Sequence, residues 1–265
     1  MRDVALRLDD VGASTKWFNL YSKHSWKAGP IRISGDWLFL KTLPAFRAWG
    51  IYREMRAGEW EDVLRLLESR GAKLTVAVTA AWVGWSGELT PFPKRFPDQA
   101  RVLKEGVEQG LIEIANHGLT HCVLEEKRFR PRLFEGNRRY HREFWEWLPQ
   151  EVHEDHLARS QEILSACFED DIVTFVPPGH IYAEETVKAA ERHGIRYLVG
   201  KGETRSAGNV VILNTNDTIE FHDREIVRQG LDWLSRTVDE QAGRSFCFLR
   251  EMGERCVERM FVKGG

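Results

Sequence analysis

The first side chains that could do chemistry are two adjacent carboxylates near the amino terminus. The apolar segment 4–8 predicts a β-strand, and it runs directly into Asp9 and Asp10. Two like charges side by side repel, so the pair is stable where a cation, most simply a metal ion, compensates one of them. Because neighbouring strand residues point in different directions, the two carboxylates can have different roles. We predict that one binds a metal ion and that the other transfers a proton.

A second group of candidates is the pair His117 and His121, which follows another predicted strand. Gly118 and the preceding strand place the two histidines on a turn rather than on a helix. Two neutral imidazoles and the Asp10 carboxylate would give three protein ligands with open positions for water and substrate, as in a catalytic divalent-metal site. A pair of solvated loop histidines is the alternative interpretation, and Asp10 at another strand end argues against it.

Hydrolysis at such a site needs a general base near the attacking water and a general acid for the leaving group. A bound divalent metal lowers the pKa of water toward about 7 and polarises a carbonyl. Asp9 is placed to act as the base. His222, at the end of another predicted strand, is placed to act as the acid, and a capping or core histidine is the alternative interpretation of that residue.

The elements that must position these residues alternate between strands and helices. Seven or eight predicted strands indicate a parallel α/β sheet, and a closed or nearly closed barrel fits that number. The candidates all fall where a strand ends and its loop begins, which is the rim where α/β barrels build active sites. Strands 210–213 and 218–221 are too close in sequence for a helical crossover, so they form a hairpin or depart locally from the alternation.

Length, charge and cysteine usage exclude several classes of protein. The 265 residues suffice for one large domain, and we predict a single domain over 1–265 with insertions at about 13–58 and 122–152. A formal net charge of −2 favours no nucleic-acid partner. No apolar segment is long enough for a membrane span. The four cysteines form no CxxC pair and the first residues show no signal core, so we expect a cytoplasmic location.

The order and spacing of the motifs resemble those of the polysaccharide deacetylases, the NodB-homology group of carbohydrate esterase family 4. Leu8–Gly12 resembles the family's Asp-Asp-Gly motif, and His117–His121 matches its His-x-x-x-His motif. Phe175–Gly179 matches in part the family's motif of an arginine followed by Pro-Pro-Gly. Ile219–Asp223 resembles the family's final His-Asp motif. The resemblance covers nearly the whole chain apart from the two insertions.

The resemblance implies a distorted (β/α)7-8 barrel that removes an N-acyl group, such as acetyl, from an amino sugar. It also implies one divalent metal ion, with zinc expected and cobalt, nickel or manganese as alternatives. By this resemblance the metal ligands would be Asp10, His117 and His121. Asp9 would be the base and His222 the acid. The residues expected at the oxyanion and the substrate are Pro178, Gly179 and His180.

Two residues of the family's pattern have no counterpart in this sequence. The arginine that orients the catalytic base would fall at Phe175 or Val176. The acid that tunes the catalytic histidine would follow the predicted strand 195–199, where no aspartate is present. We therefore expect a divergent branch of the family. Candidate replacements are Arg7, Arg250 or His180 for the arginine and Asp217, Glu220 or Asp223 for the acid.

Two segments outside the motifs are candidates for binding substrate. Segment 13–58 is rich in aromatic residues that could stack on sugar rings, and a pair of short helices covering the barrel is the alternative. Segment 127–142 is rich in arginine, so it is either a solvated face or a site for the diphosphate of a nucleotide- or lipid-linked sugar. The candidate substrate-binding residues are Trp17, Trp26, Arg138, Arg139 and Arg250.

The sequence therefore predicts a metal-dependent N-deacetylase that acts on a precursor of cell-surface polysaccharide. Another C–N hydrolase, such as a deformylase or amidase, is one alternative. An inactive relative that binds metal and carbohydrate is the other.

Overall fold

The computed structural model describes residues 3–17, 25–34, 53–84, 86–124 and 142–262. The strands are β1 (Asp3–Val11), β2 (Ser25–Ala28), β3 (Ile31–Ser34), β4 (Leu74–Val78), β5 (Ala81–Val83), β6 (Leu89–Pro91), β7 (Ile112–Asn116), β8 (Thr174–Phe175), β9 (Tyr197–Val199), β10 (Arg205–Ala207), β11 (Val210–Leu213), β12 (Thr218–His222) and β13 (Ser245–Cys247). The helices are α1 (Ala57–Arg70), α2 (Phe92–Arg95), α3 (Pro97–Glu108), α4 (Gln150–Phe168), α5 (Glu184–Arg192), α6 (Asp223–Gln229), α7 (Leu231–Asp239) and α8 (Leu249–Val262). Single turns of 3-10 helix lie at Ser14–Trp17 and Pro178–His180.

A mostly parallel sheet forms the centre of the fold. Its strand order is β10-β11-β9-β8-β7-β4-β1-β12, and β13 pairs with the beginning of β1. The pair β10–β11 is antiparallel, and the other pairs in this sheet are parallel. No helix in the described part of the chain is long and apolar enough to cross a membrane.

The sheet curls, and the connection between β11 and β12 shows why it must. These strands lie six positions apart in the strand order, which in a flat sheet would separate them by about 29 Å. The link from Leu213 to Thr218 can span at most about 19 Å. The two ends of the sheet therefore approach each other, and the predicted distorted α/β barrel is confirmed as a curled half-barrel. The hairpin alternative is wrong, because β11 pairs with β9 and β10 while β12 pairs with β1.

The central strands β1, β4 and β7 are buried on both faces, as strands of parallel sheets are. Their outward side chains pack against the helices, and α1 contributes the buried face Trp60, Val63, Leu64 and Leu67. Their inward side chains at mid-strand are the buried polar residues Arg7, Thr75 and Glu113, which lie at one level in the strand registers. Small inward side chains form a separate apolar cluster, which contains Ala5, Ala77, Ala115, Val176, Val199, Cys247 and Leu249.

The structure corrects several expected elements near the carboxyl terminus and on α4. The sequence pattern after His222 predicts one helix to about residue 238, but the structure divides it at Gly230 into α6 and α7. The pattern predicts a last strand over 245–249, but the strand ends at Cys247 and is followed by helix α8, which the pattern does not predict. The sequence also predicts that His153 and His156 are surface residues of a helix, but both are buried.

Gly12, in the turn that follows β1, should not tolerate a side chain. Its φ is +76°, and an added Cβ would lie 2.7 Å from Cδ2 of Phe92 and 3.0 Å from the carbonyl oxygen of Thr79. We expect Gly12→Ala to lower the free energy of unfolding by about 2–4 kcal/mol through backbone strain and overpacking. Urea denaturation measures this loss.

Gly71→Ala is the matched control, because Gly71 also has a positive φ of +57° but an added Cβ there has no neighbour within 4 Å. It should lose only the backbone part, about 1–2 kcal/mol. Equal losses in the two variants would contradict the close packing around Gly12.

Candidate active site

The acidic pair lies where β1 is irregular. The register between β1 and β4 shifts between Leu8 and Val11, and Asp10 has a φ of 70°. A bulge of this kind re-aims side chains, and aspartate tolerates the left-handed conformation better than most residues. The carboxylates of Asp9 and Asp10 therefore both lie at the rim of the barrel but contact different side chains.

Asp10 lies against the two histidines that follow β7. Its Oδ1 is 3.2 Å from Nε2 of His117 and 3.0 Å from Nε2 of His121. All three side chains are buried, and their candidate ligand atoms lie within 4.8 Å of one another. Among the residues that the structure describes, none forms a hydrogen bond with the buried Nε2 atom of His121. One carboxylate, two imidazoles and an unsatisfied ring nitrogen fit a divalent metal of the zinc type.

The Nδ1 atom of each imidazole also has a partner within hydrogen-bond distance. Nδ1 of His117 donates to the carbonyl oxygen of Val176 at 2.5 Å, so in the neutral ring Nε2 has the lone pair that faces Asp10. Nδ1 of His121 lies 3.0 Å from Oγ1 of Thr15. Such contacts orient metal-binding histidines and fix their tautomer.

The electrostatics of this group favour positive charge. Burial alone would raise the pKa of Asp10, but the attraction of His121 and His222 and the hydrogen bond from His117 hold it well below its usual value. Burial would lower the pKa of His117, yet the hydrogen bond to Asp10 and the charges of Asp9 and Asp10 raise it. The Asp10 carboxylate is therefore ionised and attracts cations.

Asp9 is held by Arg7 from the same strand. The completely buried guanidinium donates from Nε to Oδ1 and from Nη2 to Oδ2, both at 2.9 Å, and its Nη2 is 2.6 Å from Oε2 of Glu220. Arg7 is thus the one of the three candidate replacements for the missing arginine that contacts Asp9 in a bidentate geometry. A second compact group of side chains that could bind a metal consists of Asp9, His180 and Glu220. The Arg7 guanidinium already compensates the negative charge of this group.

His222 lies beside Asp9 in the register of β12 against β1. Its half-buried ring has Nε2 3.8 Å from Oδ2 of Asp10 and Nδ1 3.8 Å from Oε2 of Glu225. Glu225 was not among the acids expected to tune this histidine, although its spacing of three residues into α6 is the signal of a capping box, and it accepts the His222 N–H. The three expected acids have other ion-pair partners: Asp217 with Arg244, Glu220 with Arg7, and Asp223 with Lys16.

The Pro-Pro-Gly loop, which follows β8, has few backbone donors. Pro177 and Pro178 have no N–H, and the His180 N–H donates to the Pro177 carbonyl at 2.8 Å. The N–H of Gly179 is the remaining donor of this segment. The His180 ring belongs to a different group, since its Nε2 lies 3.1 Å from both Nη2 of Arg7 and Oε2 of Glu220.

Arg250 does not lie at this rim. Its backbone N–H donates to Glu113 near the beginning of β7, and its guanidinium contacts Asp170, which precedes β8. Both contacts are at the amino ends of the strands, opposite the acidic pair, which argues against the predicted role of Arg250 in substrate binding. Arg138 and Arg139, and the side chains of Trp17 and Trp26, lie outside the described residues.

Two supporting groups were not singled out from the sequence. Lys16 is buried between Glu54 and Asp223, and Glu54 also accepts the Gly12 N–H. Glu143 is a buried carboxylate that accepts the backbone N–H of His121. Their residue types are ordinary and they lie far from their partners in sequence, so no local pattern identifies them.

The fold and the rim place the chain among α/β-barrel proteins with a candidate metal site. The family model for polysaccharide deacetylase matches residues 53–198, which is more than half of the chain. The chain therefore belongs to the polysaccharide deacetylase family, as the motifs predicted. The matched region includes the two histidines and the Pro-Pro-Gly loop, whereas the acidic pair and His222 lie outside it.

Solved structures show related folds at low sequence identity. A protein from Mycobacterium smegmatis assigned to the polysaccharide deacetylases is 12% identical, with a TM-score of 0.54 over 76% of this chain and 78% of that one. A family 4 carbohydrate esterase from Streptomyces lividans, in complex with acetate, is 15% identical, with a TM-score of 0.45 over 72% and 85%. A family 4 pseudoenzyme from Bacillus anthracis is 14% identical, with a TM-score of 0.47 over 78% of this chain and 62% of its own length. No curated protein sequence matches this chain.

The ion pair between Arg7 and Glu220 should make stability depend on acid pH. Burial would raise the pKa of Glu220, but His180 and Arg7 lower it from 4.5 to about 2. A depressed pKa in the folded state stabilises the protein above the unfolded value, and this contribution is lost as pH falls from about 4.5 toward about 2. Glu220→Gln should therefore reduce stability near neutral pH and differ less from wild type at pH 3.

Urea denaturation at pH 7, 5 and 3 measures the difference, with Glu184→Gln, an exposed helix acid paired with Lys188, as the control. A difference between Glu220→Gln and wild type that stays constant over this range would contradict the assignment.

Proposed function

We propose that this protein is a metal-dependent hydrolase that removes an N-acyl group, most simply acetyl, from an amino sugar. The observation that carries the proposal is the meeting of Asp10, His117 and His121, with an unsatisfied Nε2 on His121, directly beside a second carboxylate fixed by Arg7. One cluster is suited to hold a divalent cation, and the adjacent acid is positioned separately from it. Metal-assisted hydrolysis needs these two functions side by side.

Each residue has a role in this proposal. Asp10, His117 and His121 would hold the metal, which when bound polarises a carbonyl and makes water a better nucleophile. Asp9 would accept a proton from the attacking water while Arg7 keeps both carboxylate oxygens in place. His222 would give a proton to the amine nitrogen as the C–N bond breaks. The Gly179 N–H would donate to the oxyanion that develops on the acyl oxygen.

The substrate belongs to the same proposal. The family and the partial exposure of the His222 side chain support an acylated sugar. A precursor of cell-surface polysaccharide is the substrate we propose, whereas its nucleotide- or lipid-linked form and a cytoplasmic location stay predictions from the sequence. The single-domain organisation likewise stays a prediction.

Metal content is the first test of this function. Purified wild-type protein should hold about one equivalent of a divalent ion, with zinc expected, by elemental analysis. His117→Ala removes one of three ligands and should lose the metal. His193→Ala is the matched control, because this histidine contacts Glu154 on the helical side of the fold. A wild-type protein that stays metal-free after reloading with zinc, cobalt, nickel and manganese would rule out the hydrolase.

Asp9→Asn separates an enzyme from a binding protein. In an enzyme it should lower the rate of acetate release from N-acetyl amino sugars by about 100- to 10,000-fold, the usual contribution of a general base. Metal content and sugar affinity should stay near wild type. The control is Asp217→Asn, whose carboxylate pairs with Arg244 at the other end of the strands.

The inactive-relative alternative predicts another outcome. Metal-loaded wild type would then bind the sugars without releasing acetate, and Asp9→Asn would change little. Release of a different acid, such as formate from N-formyl sugars, would favour the other C–N hydrolases.

A further inference from the structure

The loop that presents His121 is held by a carboxylate from the insertion between the histidine and Pro-Pro-Gly motifs. Glu143 is 1% exposed and lies directly against residues 118–121. Its Oε2 accepts the backbone N–H groups of Thr120, at 3.1 Å, and His121, at 2.8 Å. Its Oε1 accepts the N–H of Leu119 at 2.9 Å. One side chain thus satisfies three consecutive backbone donors of this loop.

His156 completes the hydrogen bonding of this carboxylate. Nδ1 of this buried α4 histidine lies 2.5 Å from Oε1 of Glu143. Each carboxylate oxygen therefore receives two donors, so the four acceptor directions of a buried carboxylate are all used. The attraction of His156 and these hydrogen bonds keep Glu143 ionised, because they outweigh burial and lower its pKa.

The loop needs an external support of this kind. His121 has a φ of 60°, in the left-handed region that few residues other than glycine adopt readily. Gly118 has a φ of +82°, and an added Cβ there would lie 2.1 Å from Oε2 of Glu143. The carboxylate therefore packs closely against the loop backbone and holds its unusual conformation.

The segment that carries Glu143 is itself fixed in the core. The Phe144 side chain is buried, and its ring centre lies 5.2 Å from that of Phe175 in an edge-to-face contact. Arg142 donates from Nη1 to the carbonyl oxygen of Gly179 at 3.1 Å. Consecutive residues of the insertion thus contact both the histidine loop and the Pro-Pro-Gly loop.

We propose that Glu143 is a positioning residue that holds loop 118–121 so that Nε2 of His121 faces the metal. This inference rests on the metal site of the proposed function. Residues that orient metal ligands from behind typically contribute 10- to 100-fold to metal affinity. Glu143 would do so through the ligand's backbone, in addition to the contact of Thr15 with the His121 ring.

Glu143→Gln is the test. A glutamine side chain can accept only some of these four hydrogen bonds, because its NH₂ group must face at least one backbone N–H. Competition with a chromophoric chelator should show zinc affinity weakened about 10- to 100-fold relative to wild type. The visible absorption spectrum of the Co²⁺-loaded protein should also change, since it reports ligand geometry without any assay of turnover.

Glu113→Gln is the matched control. Glu113 is 2% exposed near the beginning of β7, and its Oε1 accepts from the Thr174 hydroxyl, which can rotate to accept from an amide. Its Oε2 accepts from the Thr75 hydroxyl and the Arg250 N–H, and an amide oxygen can accept both. Its zinc affinity and Co²⁺ spectrum should match wild type. If Glu143→Gln does not fold, Glu143→Asp replaces it, since the shorter acid keeps the charge but cannot reach all four donors, and an intermediate loss of affinity is expected.

The outcomes separate this inference from the proposed function. Wild type that binds neither zinc nor cobalt would overturn both. Wild type that binds, with unchanged zinc affinity and Co²⁺ spectrum in the Glu143 variant that folds, would overturn only the role of Glu143. A variant that melts at lower temperature but keeps wild-type affinity when measured well below its melting point would also overturn it, because Glu143 would then be merely structural.

Discussion

The ion pairs of the buried Arg7 guanidinium are the interactions on which the arrangement of the other rim side chains depends. Asp9 and Asp10 are buried, where unpaired negative charge is costly, and the more exposed Glu220 lies beside them. Arg7 compensates Asp9 and Glu220 through short ion pairs, and this leaves Asp10 surrounded by imidazole nitrogens. The different surroundings of the two adjacent aspartates therefore follow from which of them the arginine reaches.

The alternation of side chains along buried strands explains how Arg7 comes to be there. Ala5, Arg7 and Asp9 lie on the inner face of β1, while Leu6 and Leu8 pack outward against the helices. At the level of Arg7 the inward side chains of β4 and β7 are the buried polar residues Thr75 and Glu113. The next inward positions toward the carboxyl ends of these strands are Ala77 and Ala115. These small side chains leave room at the rim for a long guanidinium and for the side chains that it pairs with. The bulge at Asp10 breaks the alternation at the one position where a second carboxylate must turn toward the same opening.

The sequence was sufficient for the features that depend on local pattern. Strand ends, the grouping of Asp10 with His117 and His121, and the barrel itself follow from apolar periodicity and from the rule that parallel strands share one functional edge. Features that depend on long-range contacts were not accessible in this way. Arg7 was one of three candidates, because a strand pattern does not say which inner side chains meet. Glu225 replaced the expected acids beside His222, and Arg250 lies at the wrong end of the strands because α8 begins there.

The insertion before α4 is the clearest example of long-range contacts that the local sequence pattern does not reveal. Its arginines indicate a surface that faces solvent or an anion, and charge composition supports no other interpretation. Yet Glu143 and Phe144 from this segment are buried, and the carboxylate satisfies N–H groups that the histidine loop cannot satisfy by itself. A loop with three consecutive unpaired donors would be unstable in a buried site. The histidine loop and this part of the insertion therefore form one structural unit, and the geometry of the candidate metal site depends on residues that its motif does not contain.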